Sequence, residues 1–191
     1  MFLNSKSDDM DVPAIVKKLW DKYNLSEDVR KHCMKVAEIA MRIAKKIKAN
    51  GHEIDEDAVL IGALLHDIGR SVTQDPFRHF LKSAEILKKE GFPEKIIKIA
   101  ERHFSAGLSK EEAIKLGLPE KDYIPRTLEE KVVSFADNLT FGDEERKFED
   151  FLKRLEEIDA KNPELRWLTR ATINRAKAMK EEIEKLSGMR F

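Results

Sequence analysis

The chain has 191 residues, in which 36 lysines and arginines balance 36 aspartates and glutamates, and a single cysteine, Cys33. That balance excludes an overall field drawing the molecule toward nucleic acid or anionic membrane, so no general nucleic-acid binding is expected and any phosphate preference has to come from a local site. One cysteine excludes an intramolecular disulfide, which suits a reducing cytoplasm. The longest apolar run, Ala58 to Leu65, is far short of the roughly 20 residues that cross a bilayer, so no membrane association is expected.

Charged residues make up 38% of the chain, with lysine and glutamate dominant, a balance common in heat-stable proteins. Residues 1–12 lack the apolar stretch and small-residue cleavage site of a signal peptide and are expected to be a flexible tail. No repeat or Gly/Ser/Pro-rich linker interrupts residues 13–191, which read as one domain.

In chain order, Ser26 with Glu27 and Asp28 opens a long helix that Gly51 closes after Lys45, Lys46 and Lys48. Similar punctuation predicts helices over 55–67, stopped near Gly69, and over 77–90, stopped at Gly91. Pro93 suits the first turn of a helix reaching about Phe104. A short helical pattern follows over 110–116. Thr127 with Glu130 predicts a capping box for a helix through Leu139, and two amphipathic helices are expected over 144–158 and 163–186. No segment alternates with period two, so no strand is expected and the fold class is all-α, a compact bundle of helices.

The five histidines separate by helix face. His32 lies four residues before Val36 on the stripe Val36, Ala40, Ile43 and Ile47, and so points inward. Val59, Gly62 and Ala63 lead to His66, and Leu60, Ala63 and Leu64 lead to Asp67. A buried carboxylate without a partner costs several kcal/mol, so Asp67 requires a cation or strong donors. His103 follows Ile96, Ile99 and Ala100, and Asp137 follows Val133 in the apolar run VVSFA. His79 shares its face with Ser83 and Ile86 and is expected nearer a cleft mouth. His52, after Gly51, reads as exposed. Any one inward histidine alone reads as a hydrogen-bonded core residue, but the set reads as a ligand cluster. Imidazoles combined with carboxylates suit Mn, Fe, Co, Ni or Zn.

The segments HCMKVAEIAMRIA around His32, LIGALLHDIGR around His66 and Asp67, and EEKVVSFADNL around Asp137 resemble the HD superfamily of metal-dependent phosphohydrolases. The likeness covers residues 26–141, leaving 142–191 as C-terminal helices. It implies that His32, His66, Asp67 and Asp137 hold one divalent ion. A subset of the superfamily has two further histidines and a second ion, and His79 and His103 stand in matching order, with Asp67 bridging. The implied activity is hydrolysis of a phosphomonoester or phosphodiester, commonly of a nucleotide, by hydroxide generated on the metal, with Asp67 orienting the nucleophile.

Arg70 in HDIGR is the first candidate to grip substrate phosphate. Arg78 and Lys82 come next, each equally readable as a solvated helix charge, and Arg102 and Arg126 carry less weight. Asn138 reads as a substrate contact or as a partner for local backbone. The stretch 105–125 reads as a lid or as a packed connector. Phe148, Phe151, Leu155, Trp167, Leu168 and Ile173 read as core or as the face of a homodimer. Two alternatives stay open: a di-iron oxygenase on the same fold, and a nucleotide-binding regulatory module with little turnover.

Overall fold

The computed structural model describes residues 11–191, and most of the predicted tail lies outside the described residues. The elements run α1 (Ala14–Lys22), α2 (Glu27–Ala49), α3 (Glu56–Leu65), a 3-10 turn (Ile68–Ser71), α4 (His79–Lys89), α5 (Glu94–Arg102), α6 (Lys110–Lys115), α7 (Leu128–Asn138), β1 (Thr140–Phe141), β2 (Glu144–Glu145), α8 (Phe148–Lys161), a 3-10 turn (Pro163–Leu165) and α9 (Arg166–Ser187). The fold is all-α. β1 and β2 form a two-residue antiparallel ladder, Thr140 opposite Glu145, which the period-two criterion is too coarse to detect. Its presence moves the start of the predicted 144–158 helix to Phe148.

Helix α2 is the central post, packed against α3, α7 and α9. Its predicted stripe, Val36, Ala40, Ile43 and Ile47, is wholly buried; each of its valine and isoleucine side chains contributes about 1.5–3 kcal/mol of burial before the entropy of ordering it. The core also includes Val12 and α1, whose Val16, Leu19 and Trp20 face it. That spacing of three and four is a helix signature in the sequence, but Pro13 precedes it in place of a capping Ser, Thr or Asp. Trp20 Nε1 donates to the Leu64 carbonyl at the end of α3, 3.0 Å away, satisfying one of the acceptors a helix C-terminus leaves open.

The capping chemistry differs from the sequence pattern at two places. Ser26 stands at the N-cap of α2, but its side chain makes no capping hydrogen bond. Thr127 Oγ1 accepts from the Glu130 amide at 3.3 Å, but Glu130 does not complete the box. Its carboxylate accepts from the buried Arg102 guanidinium at 2.9 Å and from the Arg126 amide at 2.7 Å. A buried guanidinium without a carboxylate would be far costlier than an open cap. The box forms at Ser109 and Glu112, at the start of α6.

The stretch 105–125 is a packed connector. Arg175 of α9 donates to the carbonyls of Ala106 and Gly107 and binds the Glu112 carboxylate through both terminal nitrogens, at 3.0 and 2.8 Å. Phe80, Leu108, Ala113, Leu118, Tyr123 and Leu168 form a second apolar cluster beneath it. No helix among the described residues is long and apolar enough to cross a membrane.

Candidate metal centre

Five helices deliver six side chains to one point. His32 comes from the second turn of α2, His66 and Asp67 from just beyond α3, His79 from the first turn of α4, His103 from the end of α5, and Asp137 from the last turn of α7. Two glycines make the convergence possible. At Gly62 a Cβ would stand 2.7 Å from the Ile99 side chain, so its absence lets α3 and α5 approach closely. At Gly69 a Cβ would stand 2.1 Å from the His79 carbonyl oxygen and 2.4 Å from the Ser83 nitrogen. The turn after Asp67 therefore lies directly on the backbone of α4, and the Gly69 amide donates to Ser83 Oγ at 2.9 Å.

Three rings are oriented by backbone carbonyls. His66 Nδ1 donates to Ala63 at 2.6 Å, His103 Nδ1 to Ala100 at 2.7 Å, and His32 Nδ1 to Gly142, in the β1–β2 turn, at 2.7 Å. A carbonyl can only accept, so each Nδ1 carries a hydrogen and each Nε2 faces the cluster. The small ladder thus holds the ring of His32.

Asp67 faces two ways. Its Oδ2 lies 3.9 Å from His32 Nε2 and 3.8 Å from His66 Nε2, while its Oδ1 lies 3.3 Å from His79 Nε2 and 3.4 Å from His103 Nε2. Asp137 Oδ1 is 2.9 Å from His32 Nε2 and 3.5 Å from His66 Nε2. His79 is only 2% exposed. The prediction that it sits nearer a cleft mouth is therefore corrected: the close seat of Gly69 on α4 draws it inward.

The donor set fits a divalent ion. His66 Nε2 and Asp67 Oδ1 are buried without a hydrogen-bond partner among the described residues. Ring nitrogens and carboxylate oxygens from the six residues lie within 4.8 Å of one another in three overlapping groups, His32–His66–Asp67, His66–His103–Asp137 and Asp67–His79–His103. Ring lone pairs facing carboxylate oxygens repel unless a cation or a proton lies between them.

The acid–base balance agrees. Burial opposes charge on both carboxylates, yet the histidines around them hold Asp67 and Asp137 well below the usual carboxylate range. Burial likewise disfavours the His32 imidazolium, but the hydrogen bond and charge of Asp137 outweigh it and raise the His32 pKa. At His79 burial prevails and pushes the pKa down to about 4, which leaves the ring neutral near pH 7.

Among the predicted phosphate contacts, Arg70 alone borders both the cluster and the cleft, its Nε donating to Asp67 Oδ2 at 2.8 Å. Arg78 and Lys82 do not reach the cleft: they point outward and pair with Asp75 at 3.4 Å and Glu85 at 2.6 Å. Arg102 is tied to Glu130 and Arg126 to Asp122. Asn138 lines the cleft, and its Nδ2 donates to the Ser105 carbonyl at 2.7 Å beside Ser134 Oγ at 2.8 Å. Together they hold Ser105 at φ 55°, a left-handed conformation that disfavours any side chain. His52 is exposed and remote.

His32, Asp67, His79 and Asp137 of the cluster line a cavity of about 560 Å³. Sequence reasoning missed the part of its wall that comes from Phe151, Leu155 and Ile158 of α8 and Leu168, Thr169 and Thr172 of α9. Apolar helical spacing does not distinguish a cavity wall from a packed core.

A model of the HD domain matches residues 29–142, more than half of the chain. The chain belongs to the HD domain family. Membership supports metal-dependent phosphohydrolase chemistry at the family level, and all six clustered residues lie within the matched segment. The chain is 52% identical over 137 residues to the uncharacterized protein MJ0778 of Methanocaldococcus jannaschii, covering 72% of this chain and 80% of that one. It is 44% identical over 128 residues to a tRNA (cytidine(56)-2'-O)-methyltransferase of Thermoplasma volcanium, covering 67% of this chain but 36% of that enzyme. The chain thus spans about a third of that relative. Among solved structures it shares the fold of the HD domain of the L. monocytogenes phosphodiesterase PgpH, with a TM-score of 0.50 at 22% identity over 93% of this chain and 99% of that one.

Proposed function

We propose that this HD domain is a metal-dependent phosphohydrolase that cleaves a phosphomonoester or phosphodiester of a nucleotide-like small molecule. The observation that carries the reading is the two-faced carboxylate of Asp67, one oxygen toward His32 and His66 and the other toward His79 and His103. One ion would be held by His32, His66, Asp67 and Asp137, and a second by Asp67, His79 and His103. Divalent ions supply Lewis acidity toward a phosphoryl oxygen and lower the pKa of water. The chain's own residues do the rest. Asp67 accepts a hydrogen bond from a water beside it and aims it at phosphorus. Arg70, anchored through Nε, offers its terminal N–H groups to phosphate oxygens. The buried walls exclude bulk water and strengthen both interactions.

The methyltransferase relatives are whole enzymes of which this chain matches a minor part, so their named reaction does not carry over.

The test is phosphate release by metal-loaded protein from a panel of mononucleotides, cyclic dinucleotides and simple esters, with Asp67→Ala and His52→Ala in parallel. Release that is lost in Asp67→Ala and retained in His52→Ala supports the reading. Equal effects of both, or oxygen uptake by iron-loaded protein without phosphate release, overturn it.

A further inference from the structure

The cavity is lined by two unlike sets of side chains. One is His32, His79, Asp67 and Asp137 of the cluster, with Arg70. The other is Phe151, Leu155 and Ile158 on α8, Leu165 in the 3-10 turn, and Leu168 on α9. On α8 the lining residues Phe151, Arg154, Leu155 and Ile158 repeat at helical intervals, so one face of the helix is turned to the cavity, and Asn162 follows just past the helix end. This wall lies beyond residue 142, outside the segment matched by the HD family model. The reaction centre and this wall therefore come from different parts of the chain.

Resting on the hydrolase reading above, we propose that the α8–α9 wall is a binding site for the organic group of the phosphate ester, and that this group is a flat aromatic one such as a nucleobase. Three features carry the choice. The cavity, about 560 Å³, is in the range of sites that enclose a small ligand. Its lining includes aromatic rings: Phe77 and Phe104, tilted with centroids 5.6 Å apart, next to His79, and Phe151 on α8. Each ring can stack on a planar group or meet it edge-on.

The polar side chains on this wall are Arg154, Asn162, Thr169 and Thr172, and Arg154 lies over the Phe141 ring, 5.1 Å from its centroid, so few are left to meet a ligand, which suits a base better than a sugar alone. Thr169 Oγ1 is already committed to Asp159 at 2.6 Å. Thr172 and Asn162 remain to meet the polar edge of a base, Asn162 holding its own turn through a 3.1 Å bond to the Ile158 carbonyl. A polyhydroxylated group would bury hydroxyls against Leu155, Ile158 and Leu168 without partners, which disfavours it.

The test compares two ligands that differ only in the base. Binding of adenosine 5′-monophosphate and of ribose 5-phosphate to the full chain is measured by calorimetry, for the wild type and for Leu155→Gln and Ile158→Gln. Gln keeps the size of these side chains and removes their apolar character; Ile158 is half-buried, so at least that variant is expected to fold. The wild type is expected to bind the nucleotide at least tenfold more tightly, and the ratio to fall toward one in both variants. Equal binding of the two ligands by the wild type, or a ratio unchanged in both variants, overturns the proposal. Preferential binding without phosphate release sinks the hydrolase reading and leaves the base site standing. Release without preference does the reverse.

Discussion

Gly69 and His79 touch through their backbones: a methyl group on Gly69 would lie 2.1 Å from the His79 carbonyl oxygen. The glycine after His66-Asp67-Ile68 is therefore what lets α4 bring His79 to Asp67. Gly69→Ala is expected to push α4 away, destabilise the protein by at least the ~1–3 kcal/mol of an overpacked core, and lower Tm by several degrees. The same variant should lose bound metal more readily at the His79–His103 side. Thermal unfolding and elemental analysis check both; an unshifted Tm contradicts the contact.

Arg70 is anchored on Asp67 through Nε, 2.8 Å away, and the proposed role assigns its terminal N–H groups to substrate phosphate. Arg70→Ala is expected to retain most bound metal while raising KM for a phosphate ester and lowering kcat/KM about 10- to 100-fold, equivalent to about 1.4–2.8 kcal/mol. Arg70→Lys should recover only part of this, because an ammonium cannot hold Asp67 and a phosphate in one planar fork. Full activity in Arg70→Ala would remove Arg70 from the site.

Asn138 acts on Ser105, two residues beyond His103. Asn138→Ala leaves Ser134 alone to hold the left-handed turn and is expected to cost about 1 kcal/mol of stability. Ser105→Gly, which relieves the backbone strain, should raise Tm, since a side chain at positive φ costs roughly 1–2 kcal/mol. A Tm lowered by Ser105→Gly would show that the turn is not strained.

The pH dependence follows from the direction of the histidine shifts. Burial works against charge on His32, but Asp137 raises its pKa above the ordinary 6.5. In metal-free protein the charged ring therefore contributes stability that is complete below about pH 6.5 and is lost as pH rises through the raised value. An ion needs the Nε2 that this proton occupies. His79, pushed down to about 4, does not compete above that pH. The Tm difference between metal-loaded and chelator-treated protein is thus expected to grow from pH 5.5 to pH 8. A constant difference would mean that no proton is displaced from His32.

Much of the fold was legible because the buried stripe of α2 and the glycine and proline stops are local signals. His32, His66, Asp67, His103 and Asp137 were legible as inward-facing residues, for the same reason. What the sequence hid depends on approach between elements. The burial of His79 follows from the backbone contact at Gly69, and Glu130 was taken from its capping box by Arg102, 28 residues away. The carbonyl that orients His32 lies in a two-residue ladder too short to leave a pattern. Arg78 and Lys82 were judged from their nearness to His79 in sequence, whereas the turn of α4 points them to solvent.

The most direct test of the central claim is the number of transition ions per chain, measured by elemental analysis on protein purified without chelator or polyhistidine tag, for the wild type and for His79→Ala and His103→Ala. About two ions in the wild type and about one in each variant are expected, because Asp67 divides its oxygens between two sets of histidines. Equal stoichiometry in all three would contradict the second ion, and no bound metal after reconstitution of the wild type would contradict the metal centre itself.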